Sequence, residues 1–281
     1  MKNNDQIVLK NFYHVNFIAK VSNSTNIQLD FNNDLVEIFS KTFPNVKIQL
    51  KGAIDNGDII DVYIKEIYRN LPVKDSVVVD IGANIGDSPI YFALKNSKKV
   101  IALEPFPKNY EMAKKNIELN NIENKVILLH KGCLKFNGTY TVDSNFKGVD
   151  SQITDSNQGI KIPITTLEQL IKDYKIEQQS ILKIDCEGCE YDVLLSSPTK
   201  ILQTFSHIFI EYHHGYKNLK KKLIESGFQV SVTAPSISGQ ISLFLYYMHK
   251  IRKLNTMKSE RYLSHTAPRL ACVGQIYAIR K

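Results

Sequence analysis

Near residue 75 the pattern of apolar and polar positions changes character. Downstream, short continuous apolar runs alternate with segments of helical spacing. Val77-Val78-Val79-Asp80-Ile81, Val100 to Leu103, Val126 to Leu129, Ile181 to Asp185 and His207 to Tyr212 read as strands buried on both faces. Helices fill the intervals. Ser88 as N-cap and Pro89 at the first helical position open one that runs to about Leu94. Pro107 to Leu119 turns Tyr110, Met112, Ala113 and Ile117 inward, and Thr165 with Glu168 has capping-box spacing ahead of a helix ending near Tyr174. Val193 to Leu195 lies in a short helix, and Asn218 to Ser226 forms another that Gly227 closes. Strand fragments at Thr139–Val142 and Ile160–Ile162 fall in a looser region. Phe228–Thr233 and Cys272–Ile279 end the series, with a lid-like stretch, Ile241 to Tyr262, between them.

Upstream the signal is less regular. Ile7 to Ile18 is apolar-rich, Leu35 to Phe43 has helical spacing, and Val46 to Leu50 alternates like a strand. Ile59 to Tyr68 places Ile60, Ile64, Ile67 and Tyr68 on one helical face, which Pro72 closes. Residues 1–72 are therefore expected to form an N-terminal cap region, and 73–281 the main domain. The strand–helix alternation predicts an α/β fold with a doubly wound, mostly parallel sheet. Such sheets bind ligands beyond the carboxyl ends of their strands, so the residues after each strand are the places to look for chemistry.

Composition narrows the class. With 281 residues, 43% hydrophobic and 23% charged, the chain can bury a full core, and disordered or fibrous classes are excluded. Four scattered cysteines make no disulfide framework, so they are expected to be reduced, in a cytoplasmic compartment. No apolar run approaches the roughly 20 residues of a membrane helix, and the N-terminus leads into no signal-like run. The net charge of +8 comes with lysine spread along the whole chain, which reads as solvated surface rather than a nucleic-acid footprint.

Strand one is followed by Asp80-Ile81-Gly82-Ala83-Asn84-Ile85-Gly86-Asp87-Ser88. Gly82 and Gly86 allow a tight turn and close ligand approach, ahead of a helix N-terminus. The third glycine spacing of a dinucleotide fingerprint is absent, and the acid before the first glycine would repel a pyrophosphate. Glu104, in Glu104-Pro105-Phe106-Pro107, falls roughly twenty residues on, where an acid accepts both hydroxyls of a ribose. A ribose reader without a phosphate cradle points to an adenosine ligand lacking phosphates, and S-adenosyl-L-methionine meets that description.

Strand four is followed by Asp185-Cys186-Glu187-Gly188-Cys189-Glu190-Tyr191-Asp192, with four acids in eight residues. They are placed to orient a nucleophile, act as base or bind a cation. Cys186 and Cys189 have no second such pair, so structural zinc is not expected, and both read as small buried side chains. Strand five is followed by His213 and His214, where a base or metal ligand would project.

Together these motifs resemble the FkbM-type family of S-adenosylmethionine-dependent methyltransferases. The matching residues are Val77 to Tyr91, Leu103 to Pro107, Ile181 to Leu194, Phe209 to His213 and the Asp150-Ser151-Gln152 region. The resemblance implies the seven-stranded class I methyltransferase sheet with a reversed final strand, and O-methylation of sugars, polyketides or other small polar molecules. Glu211-Tyr212-His213-His214 stands where amino-methylating nucleic-acid enzymes carry Asn/Asp-Pro-Pro-aromatic. On this reading Asp80, Gly82, Asn84, Gly86, Glu104 and Pro105 bind the cofactor. Asp185, Glu187 and His213 form the acceptor-side constellation, facing one cleft beside the cofactor methyl. His213 takes the hydroxyl proton; a Mg²⁺ held by Asp185 and Glu187 is the alternative, less suited to two carboxylates plus an imidazole. An RNA methyltransferase and a non-catalytic adenosyl-binding module are the competing readings.

Overall fold

The continuous apolar runs become the buried core of a seven-stranded sheet in the computed structural model, which describes residues 26–54, 56–142, 159–233 and 273–280. In chain order the strands are β1 (Ile27–Asp30), β2 (Leu35–Phe39), β3 (Lys47–Lys51), β4 (Val77–Ile81), β5 (Lys99–Leu103), β6 (Val126–Leu129), β7 (Gly132–Cys133), β8 (Gly138–Val142), β9 (Ile160–Thr165), β10 (Ser180–Ile184), β11 (Phe205–Tyr212), β12 (Phe228–Val232) and β13 (Gly274–Arg280). The helices are α1 (Asp87–Leu94), α2 (Pro107–Leu119), α3 (Leu167–Asp173), α4 (Cys189–Ser196), α5 (Thr199–Leu202) and α6 (Lys217–Glu225). The large sheet has the order β12-β13-β11-β10-β4-β5-β6. β4, β5 and β6 pair in parallel, as do β10 and β11, whereas β13 runs antiparallel to both neighbours. This is the expected doubly wound arrangement with a reversed last strand. Every residue of β4 and β10 is buried, which is why their sequences do not alternate.

The chain divides into two compact units, residues 1–132 and 133–281. In the first, β1, β2 and β3 form an antiparallel sheet. Asp30 turns the β1–β2 hairpin by accepting the backbone N–H groups of Asn32 and Asn33. The helix expected over Leu35–Phe43 is therefore a strand: Val36 and Ile38 are buried at period two, and the apolar residues at 35, 36, 38, 39 and 43 satisfied both periods. The helix expected over Ile59–Tyr68 shrinks to one π-helical turn, Ile60–Ile64, closed by Lys65 N–H donating to the Ile60 carbonyl. Val62 and Tyr63 are its buried residues, and Ile64 faces solvent. Glu66, at φ 51°, ends the turn before a second one can form.

Fully buried Tyr91 on α1 gathers this region. Its ring meets Phe43, Tyr63, Tyr68 and Phe92 at centroid distances of 5.3 to 5.9 Å, all edge-on. Buried Asn116 on α2 adds a polar clamp: its amide accepts Lys51 N–H at 2.7 Å and donates to the carbonyls of Lys51 at 3.0 Å and Ile85 at 2.8 Å. One side chain thus fixes the end of β3 and the turn after β4.

In the second unit β8 and β9 pair antiparallel, and α3 starts one residue later than expected, with Thr166 capping Gln169 N–H. β12 and β13 are joined by residues 233–273, and the two ends of that connection meet. Thr233 N–H donates to the Gln275 carbonyl at 2.9 Å, Gln275 N–H donates back to the Thr233 hydroxyl at 2.8 Å, and Tyr212 Oη donates to the Thr233 carbonyl at 2.9 Å. Ile7–Ile18, Asp150–Gln152, Ile241–Tyr262 and Cys272 lie outside the described residues. Among the described residues no helix is long and apolar enough to cross a membrane.

Replacing Asn116 with Ala removes the partner of three backbone groups at once, the buried Ile85 carbonyl and the part-buried N–H and carbonyl of Lys51. At about 1–3 kcal/mol for the one fully buried group, with water reaching those of Lys51, the expected loss is about 1–3 kcal/mol. It is read as a lower urea midpoint with an unchanged m-value.

Candidate active site

The turn after β4 is built for close approach. Gly82 and Gly86 both have positive φ, 87° and 92°, and a side chain on Gly86 would sit 3.1 Å from the α2 backbone at Ala113. Only glycine lets the turn pack there. α1 begins at Asp87 with Gly86 as its N-cap, two residues earlier than the sequence suggested. Ser88 is therefore inside the helix, where its hydroxyl donates to fully buried Asp80 at 2.7 Å. Gly82 and Ala83 N–H groups both donate to the Leu103 carbonyl, which ties the turn to β5.

Glu104, 3% exposed at the end of β5, accepts Asn84 N–H at 2.8 Å and Phe106 N–H at 2.9 Å on its two oxygens. It holds both loops in shape. The Pro105 carbonyl meets His130 Nε2 at 3.1 Å, and that ring stacks on Tyr110. Asn84, at φ 47°, donates its amide to Asp58 at 2.6 Å, while its Oδ1 is buried with no hydrogen-bond partner among the described residues. Such an atom is an acceptor waiting for a donor. Asp58 and Tyr63, whose hydroxyl donates to the Asp87 carbonyl, complete the surroundings of the turn. Neither stands out in the sequence: Tyr63 falls off the apolar face read for Ile59–Tyr68, and Asp58 precedes that segment.

In the second unit the loops after β10 and β11 converge on Glu190. Its fully buried carboxylate accepts Gly188 N–H at 2.8 Å on one oxygen, and on the other His213 N–H at 3.0 Å and His213 Nδ1–H at 3.0 Å. Asp185, Glu187 and His213 are brought together as expected: His213 Nε2 lies 3.9 Å from Asp185 and 3.6 Å from Glu187. Glu187 adopts a left-handed backbone, φ 56°. Lys183, 2% exposed, lies 4.0 Å from Asp185. Glu190, Lys183 and Glu211 are additions to the expected set. The signal for Glu190 was its spacing, three and four residues ahead of buried Val193 and Leu194 on one helix face.

Burial, the largest single influence on His213, favours its neutral form. The Glu190 hydrogen bond and the charges of Asp185, Glu190 and Glu187 outweigh it and push the pKa up to about 10. At neutral pH the ring carries both protons, so in this arrangement it supplies charge and cannot accept the proton the sequence reading assigned to it.

The cysteine expectation needs correction. Cys186 and Cys189 are joined in a disulfide, half-exposed rather than buried. Gly188, at φ 120°, folds the chain so that their Cα atoms come within 5.5 Å, an ordinary distance for the bond. The cysteine count therefore no longer supports a reducing compartment. Cys133 is free and buried, which pushes its thiol up to about 12. A cleft of about 350 Å³ opens beside the disulfide, with Lys135, Phe136, Tyr140, Glu187, Asp192 and His214 on its walls. The second histidine thus belongs to the cleft wall and not to the buried cluster.

The FkbM methyltransferase domain matches residues 80–251, which take in both clusters. The chain belongs to the FkbM methyltransferase family. It is a methyltransferase, and the family implies S-adenosyl-L-methionine as methyl donor. Among its relatives, "Methyltransferase 1" of Beauveria bassiana is 25% identical over 202 residues, 62% of this chain and 81% of that protein. "Hexuronic acid methyltransferase AglP" of Haloferax volcanii is 25% identical over 163 residues, 57% of this chain and 66% of that protein. "tRNA (guanine(37)-N(1))-methyltransferase Trm5b" of Methanocaldococcus jannaschii is 45% identical over 61 residues, 22% of this chain and 17% of that protein.

The His213 environment sets a pH dependence. Its folded pKa of about 10 stands above the ordinary 6.5, so its contribution to stability is complete below pH 6.5 and is lost as pH rises through about 10. In EDTA-treated protein the urea midpoint should fall across that window. A His213→Gln variant should lose this component of the slope, and nitrogen NMR of the wild type should show both ring nitrogens protonated at pH 8.

Proposed function

We propose that this methyltransferase methylates a hydroxyl oxygen of a small polar acceptor of the sugar type. The observation that carries the reading is the carboxylate–imidazole cluster beside a cleft of about 350 Å³, within the ~300–1,000 Å³ of small-molecule sites. The cleft walls carry Lys135 against Glu187 and Asp192, a poor lining for a polyanion such as RNA. Lys135, exposed and only loosely paired with Asp192 at 3.5 Å, is the cation a single substrate carboxylate would meet there, which suits a uronic acid, the substrate class named for the Haloferax relative. Phe136 and Tyr140 offer flat apolar faces to a sugar ring.

The donor side fits S-adenosyl-L-methionine. Asp80, Gly82, Asn84 and Gly86 line its methionine portion, with Asn84 Oδ1 accepting from an ammonium group, and Glu104 and Pro105 lie at its ribose. When bound, the cofactor supplies an electrophilic methyl on a sulfonium. Within the N-terminal region, 1–72, the role of a cap on this turn is supported, among the described residues, by the Asp58–Asn84 and Tyr63–Asp87 hydrogen bonds.

On the acceptor side, Glu187 lines the cleft and receives the hydroxyl proton as the methyl arrives. Protonated His213, held between Asp185 and Glu187, orients Glu187 and balances its charge, in place of the direct proton acceptance by His213 first expected. Incubation with methyl-labelled cofactor and a panel of hexoses, hexuronic acids and short RNAs tests the reading. Label on a sugar oxygen supports it, and label on RNA or on no sugar overturns it.

Glu187→Gln should lower kcat by roughly 10²–10⁴ with S-adenosylhomocysteine affinity unchanged. Glu104→Ala should weaken that affinity at least about tenfold by calorimetry, because it removes charge-assisted acceptors. An unchanged affinity would remove Glu104 from the cofactor site.

A further inference from the structure

We infer that Asp185, Glu211 and His213 form a binding site for a divalent first-row transition ion of the Mn²⁺ class. The backbone brings them together before any side chain is considered. Ile184 of β10 is in register with Ile210 of β11, so the next residues, Asp185 just beyond β10 and Glu211 still within β11, lie side by side. His213 follows Glu211 by two residues at the end of the strand, and period-two geometry returns it to the same face. Each residue offers one ligand atom, and these atoms all lie within 4.8 Å of one another.

The orientation of His213 points independently to a ligand. The residue is only 7% exposed, yet Nε2 has its nearest carboxylates at 3.6 and 3.9 Å, beyond hydrogen-bond distance. The opposite nitrogen, Nδ1, is fixed at 3.0 Å by buried Glu190. An imidazole whose one N–H donates to a carboxylate, and whose other nitrogen faces two further acids, is arranged as a metal-ligating histidine is. Among the described residues, Asp185, Glu187, Glu190 and Glu211 all come near His213, with Lys183 beside Asp185.

The donor set selects the ion. Two carboxylate oxygens and one imidazole nitrogen suit Mn²⁺ and its neighbours better than Ca²⁺ or Mg²⁺, which favour all-oxygen surroundings. The nearby cysteine sulfurs are closed in a disulfide and offer no thiolate. Binding exchanges the Nε2 proton, released to solvent, for the cation. Three protein ligands leave coordination positions open, and adjacent oxygens of the acceptor, a hydroxyl with a carboxylate or a second hydroxyl, are the ligands that fill them. This last step rests on the proposed function; the metal site itself does not. Glu187, outside the trio, is left to receive the acceptor proton.

The test uses the full-length protein stripped with EDTA and titrated with Mn²⁺, following loss of the free-ion electron paramagnetic resonance signal. Saturable uptake of one ion per chain is expected. Glu211→Gln and His213→Gln should each weaken it at least about tenfold, and the surface variant Glu225→Gln should leave it unchanged, with circular dichroism melting confirming that all fold. Absence of saturable uptake, or equal uptake by wild type and both site variants, overturns the site. Methyl transfer is measured in parallel. Mn²⁺ uptake without transfer to any hydroxylated acceptor supports the site and overturns the proposed function. Transfer that persists in excess EDTA, in a protein that takes up no Mn²⁺, does the reverse.

Discussion

A carboxylate with no solvent exposure must find all its partners inside the protein, and Glu190 finds them on two loops at once. Its acceptors are shared between Gly188, one residue before α4, and the backbone and ring of His213, just after β11. Removing one partner of such a set leaves a buried charge or a buried donor uncompensated, which costs far more than the pairing gains. The two loops therefore hold one geometry or come apart together. Asp185, Glu187 and Glu211 take their positions from those loops and from the strand ends that feed them.

The cofactor-side turn follows the same logic with a different group. Glu104 spans from the end of β5 to Asn84 and Phe106, and Asn116 reaches from α2 to both β3 and the turn. In each case a loop with left-handed residues is held by one buried polar side chain from a regular element. Tyr91 then brings the aromatic residues of the first segment onto α1, so that chain far from the glycine motif helps fix its shape.

Much of this was legible in the sequence for a physical reason. Parallel strands covered on both faces must be apolar throughout, so β4, β10 and β11 announced themselves, and with them the positions of Asp80, Asp185 and His213. The first segment was less legible because its apolar residues satisfy two periods, and a hairpin turn at Asp30 decided for the strand. Glu190 stood among four acids, and only the helix phase separates it from Asp192, which faces outward to Lys135. Lys183 was hidden in an apolar run. The Cys186–Cys189 bond was missed because counting cysteines tests for a framework and is blind to a single short link closed by one glycine.

The seam at Thr233 and Gln275 has a consequence for how such a protein can vary. Because hydrogen bonds close the base of the connection between β12 and β13, the sheet does not depend on the length of what is joined there. Doubling a closed loop costs only about 0.6 kcal/mol in chain entropy. Natural selection can therefore lengthen or shorten the connection while β12 and β13 keep their register, so this is a point where the chain can change length without putting the scaffold at risk.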